Sequence, residues 1–127
     1  MLDLETMDEM QLTDHPAMDI NADWSPDGNE IVFLSNRNGA FHLWTLDTQE
    51  YRAKQLTRKA LELSHYGYDY AMNVKWSPDG KVIGYIANGE KGRTLGVVDR
   101  NGENQRIGVE AIHTFDWSLS SEMVVYN

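Results

Sequence analysis

A pentapeptide recurs in this chain, as Trp24-Ser25-Pro26-Asp27-Gly28 and again as Trp76-Ser77-Pro78-Asp79-Gly80. A degenerate third copy, Trp117-Ser118-Leu119-Ser120-Ser121, follows. A recurring motif means that one supersecondary unit is used several times, which constrains the fold more than any local propensity. Each copy sits in a longer frame. Gln11-Leu12-Thr13 precedes the first, Gln55-Leu56-Thr57 the second, and Gln105-Arg106-Ile107 the third. β-rich runs follow each copy: Glu30–Leu34, Lys81–Ile86 and Met123–Tyr126. Second apolar runs, Phe41–Leu46 and Thr94–Val98, end at Asp47 and Asp99.

The turn chemistry agrees with a chain of short strands. Proline presets φ in a type I turn, Ser and Asp bond back to the backbone, and Gly accepts a positive φ. Asn38-Gly39 is a hairpin signal of the primed type, and Asn88-Gly89 and Asn101-Gly102 repeat its chemistry. Strands with turn signals at such short intervals point to a sandwich, barrel or propeller. The long repeat selects the propeller. Trp24 and Trp76 are 52 residues apart and Trp76 and Trp117 are 41, and a blade of four strands takes roughly 40–50 residues. The first interval is long because residues 58–73 form an extended loop.

The whole frame resembles the WD40-like PD40 repeat of TolB and of propeller domains in tricorn and prolyl-oligopeptidase-type peptidases. The resemblance covers nearly the whole chain and is specific for fold; propellers of this kind serve many functions. The expected architecture is all-β: a β-propeller segment of antiparallel four-stranded blades. It comprises full blades over 20–57 and 72–107, with half-blades over 1–14 and 112–127. Its sum falls short of a closed ring, since closed propellers have about four or more blades. An open stack leaves apolar faces and strand edges uncovered. Flanking chain, a protein partner or self-association is therefore expected to complete the propeller, with a six-bladed homodimer as the arithmetic solution.

Composition narrows the function classes. With no cysteine there is no disulfide and no thiolate metal site. No apolar run of about 18 residues is present, so no membrane-spanning helix is expected. The acidic N-terminus is unlike a signal peptide, although the resemblance favours a periplasmic or extracellular setting. The net charge is −9, and all of it arises in residues 1–30, which hold nine acidic groups and no Lys or Arg. That distribution argues against nucleic acid or an anionic membrane as partner. It suits either a docking face for a basic partner or a solvated acidic edge.

Three histidines, His15, His65 and His113, fall in one slot, between the last strand of one blade and the first of the next. His15 and Asp19 share their spacing with His65 and Asp69. Imidazole and carboxylate together can hold Zn, Mn or Fe, and oligogalacturonate lyases of similar repeat place metal-binding histidines in the channel. The plainer expectation is that these histidines bond loop backbones or face water, and no cofactor is expected. The loop around Tyr66, Tyr68, Asp69 and Tyr70 is the most aromatic insertion, and tyrosines supply contact area at low entropic cost. With no Gly-x-Ser-x-Gly elbow and no room for a hydrolase domain, peptidase activity in this chain is not expected. Trp24, Trp76 and Trp117 share one frame position and are expected to pack between strands or blades; Trp44 is either core or an exposed contact. The sequence reading is a non-enzymatic interaction or scaffold module in an oligomer or larger complex. A metal-dependent lyase-type enzyme and a gating propeller of a peptidase are the alternatives.

Overall fold

The computed structural model describes residues 1–62, 73–89 and 92–127. Among them there is no helix. The described residues form ten strands in three sheets. The first holds β1 (Asp19–Trp24), β2 (Glu30–Ser35), β3 (His42–Asp47) and β4 (Ala53–Gln55) in the order β1-β2-β3-β4. The second holds β5 (Val74–Trp76), β6 (Val82–Gly89), β7 (Gly92–Asp99) and β8 (Arg106–Glu110) in the same sequential order. The third is a pair, β9 (Phe115–Trp117) with β10 (Val124–Tyr126). All pairings are antiparallel. Residues 1–14, expected to carry the end of a blade, form a turn with one isolated bridge, Leu2 to Glu9.

The pentapeptides make the turns between the first and second strand of each sheet. Ser25 Oγ donates to Asp27 Oδ1 at 2.7 Å and accepts from Glu30 N at 2.9 Å. Ser77 repeats both bonds, to Asp79 Oδ1 at 2.7 Å and from Val82 N at 3.1 Å. Gly28 and Gly80 take φ of 72° and 70°, as the turn requires. The degenerate copy keeps this geometry without its glycine: Ser121 stands there at φ 62°, and Met123 N still donates to Ser118 Oγ. The other glycine signals divide. Gly39 and Gly102 close turns at φ 88° and 87°. Asn38 does not share the positive φ, so the expected primed two-residue hairpin is replaced by a longer loop between β2 and β3. Asn88-Gly89 lies inside β6, where Gly89 pairs with Gly92.

Successive side chains on a strand point to opposite faces, and here both faces are apolar. Val32, Leu34 and Leu43 face forward from the first sheet, with Leu56 and Leu61. They pack on Val74, Trp76, Ile83, Tyr85 and Val98 of the second. On its far side the second sheet presents Ile86 and Leu95 to Ile112 and Phe115, with Trp117 and Val124 beside them. Two glycines permit this packing, Gly96 within the second sheet and Gly84 between the second and third. A Cβ at Gly96 would lie 2.3 Å from the Tyr85 ring, and one at Gly84 would lie 2.6 Å from the Phe115 ring. Gly96 occupies the frame position of Trp44, so the second sheet gives up a bulky residue where its own tyrosine must lie flat. Gly96→Ala is expected to destabilise the fold by about 1–3 kcal/mol, the usual range for an overpacked core, read from urea denaturation.

Candidate interaction surface

The backward face of the first sheet has no sheet to pack on among the described residues. Ile31, Phe33, Trp44 and Leu46 form its apolar cluster, joined by Leu12 and Ala53. Arg37 lies over both aromatic rings, 5.1 Å from the centroid of Phe33 and 4.8 Å from that of Trp44. Asp19 holds the guanidinium at 2.8 Å. This cation-on-aromatic layer settles Trp44 as core, 8% exposed, and it fixes Asp19 in an ion pair. Trp24 corrects the sequence expectation. It is 47% exposed, whereas its frame equivalent Trp76 is 5% exposed. The difference follows from position: Trp76 meets the first sheet, and Trp24 points to where a preceding sheet would lie.

At the other end, the β9–β10 pair leaves Met123 67%, Val125 69% and Leu119 95% exposed, and Tyr126 half exposed. A shallow cavity of about 380 Å³ lies along Trp117, Ser118 and residues 123–126. The edge of β10 away from β9, unpaired among the described residues, completes this surface. An apolar face joined to an unpaired strand edge can add a strand and bury side chains at once.

His65, Tyr66, Tyr68, Asp69 and Tyr70 lie outside the described residues. His15 is exposed, and its Nδ1 accepts from Ala17 N at 3.1 Å. His113 is exposed and donates its backbone N–H to Asn127 O at 2.7 Å. Among the described residues no group of three or more His, Cys, Asp or Glu side chains is placed to hold a metal. The fourth histidine, His42, is buried, with Nδ1 2.9 Å from Thr57 O.

Several of the nine N-terminal carboxylates are taken up in structure. Asp23 Oδ2 accepts from Trp76 N at 2.8 Å, a bond from one sheet to the next. Arg100, from the turn after β7, reaches Asp27 at 2.7 Å and Glu30 at 2.5 Å while lying 5.2 Å from the Trp76 ring centroid. This inter-sheet clamp joins the pentapeptide turn of the first sheet to the second. Sequence reading missed it, because nothing local marks Arg100 as facing residues so far back in the chain.

A stack of twisted antiparallel four-stranded sheets, each packed face to face on the next, defines a β-propeller segment. The family model of the TolB β-propeller domain (PD40) matches residues 1–127, and the chain belongs to that family. The structure is similar to TolB from Acinetobacter baumannii, with a TM-score of 0.76 at 16% identity over 98% of this chain and 30% of that one. It is similar to a putative TolB from Agrobacterium tumefaciens, with a TM-score of 0.63 at 20% identity over 84% of this chain and 38% of that one. An oligogalacturonate lyase in complex with manganese also matches, with a TM-score of 0.70 at 14% identity over 98% of this chain and 36% of that one. The chain thus spans roughly a third of the length of these structures, and at such identities the likeness is one of fold. No curated protein matches the sequence.

The clamp makes stability depend on pH. Hydrogen bonds from the Arg100 guanidinium, then from the Ser25 hydroxyl and the Asn29 amide, hold the Asp27 carboxyl well below the usual carboxylate range. A carboxylate depressed in the folded state stabilises fully above its unfolded pKa of about 3.9, and that contribution is lost as pH falls toward the folded value. Asp27→Asn is therefore expected to lower thermal stability at pH 7. The gap from wild type should narrow as pH falls below about 4, followed by circular dichroism melts across the range. A gap independent of pH would mean that the charge of Asp27 carries no part of the clamp.

Proposed function

We propose that this chain is a non-enzymatic protein-interaction and scaffold module, a TolB-like propeller segment that works within an oligomer or larger complex. One observation carries the reading: each end of the stack leaves open apolar side chains of a kind that is covered between its sheets. Trp24 stands open where Trp76 is covered, and Val125 and Met123 lie open beside the edge of β10 away from β9. Burying apolar area of this kind is the main driving force for association. The clamp residues Asp27, Glu30 and Arg100 serve the stack internally and leave the outer faces free for contact.

The second reading, a metal-dependent channel enzyme, draws on the fold shared with a manganese-bound lyase and on His15 and His113 in the inter-blade loops. The two readings predict different behaviour. Under the scaffold reading, Val125→Asp abolishes association of the chain with its partner, measured by size-exclusion mass, and the protein retains no stoichiometric Mn²⁺ or Zn²⁺ after equilibrium dialysis. Stoichiometric metal that is lost in His15→Ala or His113→Ala, together with unchanged association of Val125→Asp, would overturn the scaffold reading in favour of the enzyme.

A further inference from the structure

The chain holds three Asn-Gly pairs, Asn38-Gly39, Asn88-Gly89 and Asn101-Gly102, and the fold gives each a different chemical setting. Asparagine followed by glycine is open to attack by its own backbone, because no Cβ shields the glycine nitrogen. Asn88 is half-buried within β6 and opposite Arg93, and Gly89 is paired with Gly92. The ladder keeps that peptide extended. Asn38 is exposed, but its Nδ2 donates to Gln55 Oε1 at 2.5 Å, which directs its side chain to β4. Asn101 is exposed and its side chain folds back instead. Its Oδ1 accepts from Glu103 N at 3.0 Å, and its Nδ2 has no partner among the described residues. The Asn101 amide carbon is therefore held over its own Gly102 peptide. An N–H polarises its carbonyl, and its amino group is free to leave.

This pair also lies at the seam between the first and second sheets. A Cβ on Gly102 would lie 2.6 Å from Leu56 O, and Gly102 takes φ 87°, so packing fixes a glycine there. On the other side of Asn101 stands Arg100, whose guanidinium grips Asp27 and Glu30. We propose that Asn101 is a site of spontaneous deamidation and isoaspartate formation, and that its conversion loosens the joint between the first two sheets. Gly102 N donates to Asp99 O at 2.8 Å. When that bond opens, the nitrogen loses its proton to hydroxide and bonds to Asn101 Cγ. The Cγ–Nδ2 bond breaks, ammonia leaves, and a succinimide ring closes. Water then opens the ring. Attack at Cγ gives aspartate in the normal chain, and attack at the main-chain carbonyl gives isoaspartate, in which the chain runs through Cβ and Cγ. Either way water is consumed and ammonia released. Isoaspartate lengthens the main chain between Arg100 and Gly102, so the turn no longer presents Arg100 to Asp27 and Glu30 while resting on Leu56. Aspartate adds a negative charge beside Asp99. The inference stands apart from the reading of the chain as an assembly module.

The test is ageing of the whole chain at mildly alkaline pH, with the same chain in guanidinium chloride as the unfolded reference. Peptide mapping by mass spectrometry follows each Asn-Gly pair, and each folded rate is divided by its unfolded rate. That ratio is expected to be several-fold higher for Asn101 than for Asn38 or Asn88. A ratio led by Asn38 or Asn88, or equal at all three, would overturn the site. Thermal melts test the consequence. Aged wild-type protein is expected to melt below fresh protein, whereas Asn101→Gln, whose side chain would have to close a larger ring, keeps its melting temperature on ageing. In Arg100→Ala, which has no clamp left to lose, the drop on ageing is expected to shrink. A drop as large in Asn101→Gln or in Arg100→Ala as in wild type would overturn the link between Asn101 and the joint.

Discussion

A short twisted sheet with two apolar faces is not stable alone, and everything in this molecule depends on how those faces are covered. The first sheet buries Val32, Leu34 and Leu43 on the second, and the second buries Ile86 and Leu95 on the third. Each contact uses the same alternation of side chains, so one packing solution serves twice. The hydrophobic effect is proportional to area and indifferent to direction. Direction comes instead from polar and steric devices at the seams. The Asp23 carboxylate meets Trp76 N, Arg100 grips Asp27 and Glu30, and glycines stand where an aromatic ring must lie close.

The pentapeptide acquires a second meaning in this setting. Locally it is a turn whose serine and aspartate satisfy the backbone. Between sheets it is a contact point: a Cβ on Gly80 would sit 3.5 Å from Pro26, and Asp79 N donates to Ser121 Oγ at 2.9 Å. That second role accounts for the tolerance of the degenerate copy. Ser121 accepts a left-handed backbone, which is unfavourable for a residue with a Cβ, and its hydroxyl in return ties the third sheet to the second. A turn read from sequence alone looks worn; in the stack it is repurposed.

Much of the fold was legible because the relevant forces are local and periodic. The Ser-Pro-Asp-Gly turns, the strands that follow them and the four-strand unit all follow from side-chain alternation and from a few backbone preferences. Residues 88–89 were misread because an Asn-Gly pair also fits a strand end when its partner across the ladder is another glycine, here Gly92. Trp24 was misread because identical frame positions imply identical surroundings only inside the array. At its edge the same tryptophan has no neighbour to lie on. The partners of the loop residues were less accessible still: His15 Nδ1 accepts from Ala17 N in its own loop, and Asp19 is drawn to Arg37.

The sequence by itself determined the unit: where each blade turns, which residues alternate, and how many units the chain carries. Those properties depend on contacts within a few residues or between adjacent strands, and they are written in the order of side chains. Tertiary structure alone decided which carboxylates become structural and how the end surfaces are built. It joined Arg100 to Asp27 and layered Arg37 on Phe33 and Trp44. It folded residues 1–13 around a turn held by Asp3, and it left the edge of β10 away from β9 unpaired among the described residues. These features require sheets to meet face to face across long stretches of chain, a geometry set by the shape and volume of packed side chains that no local pattern records.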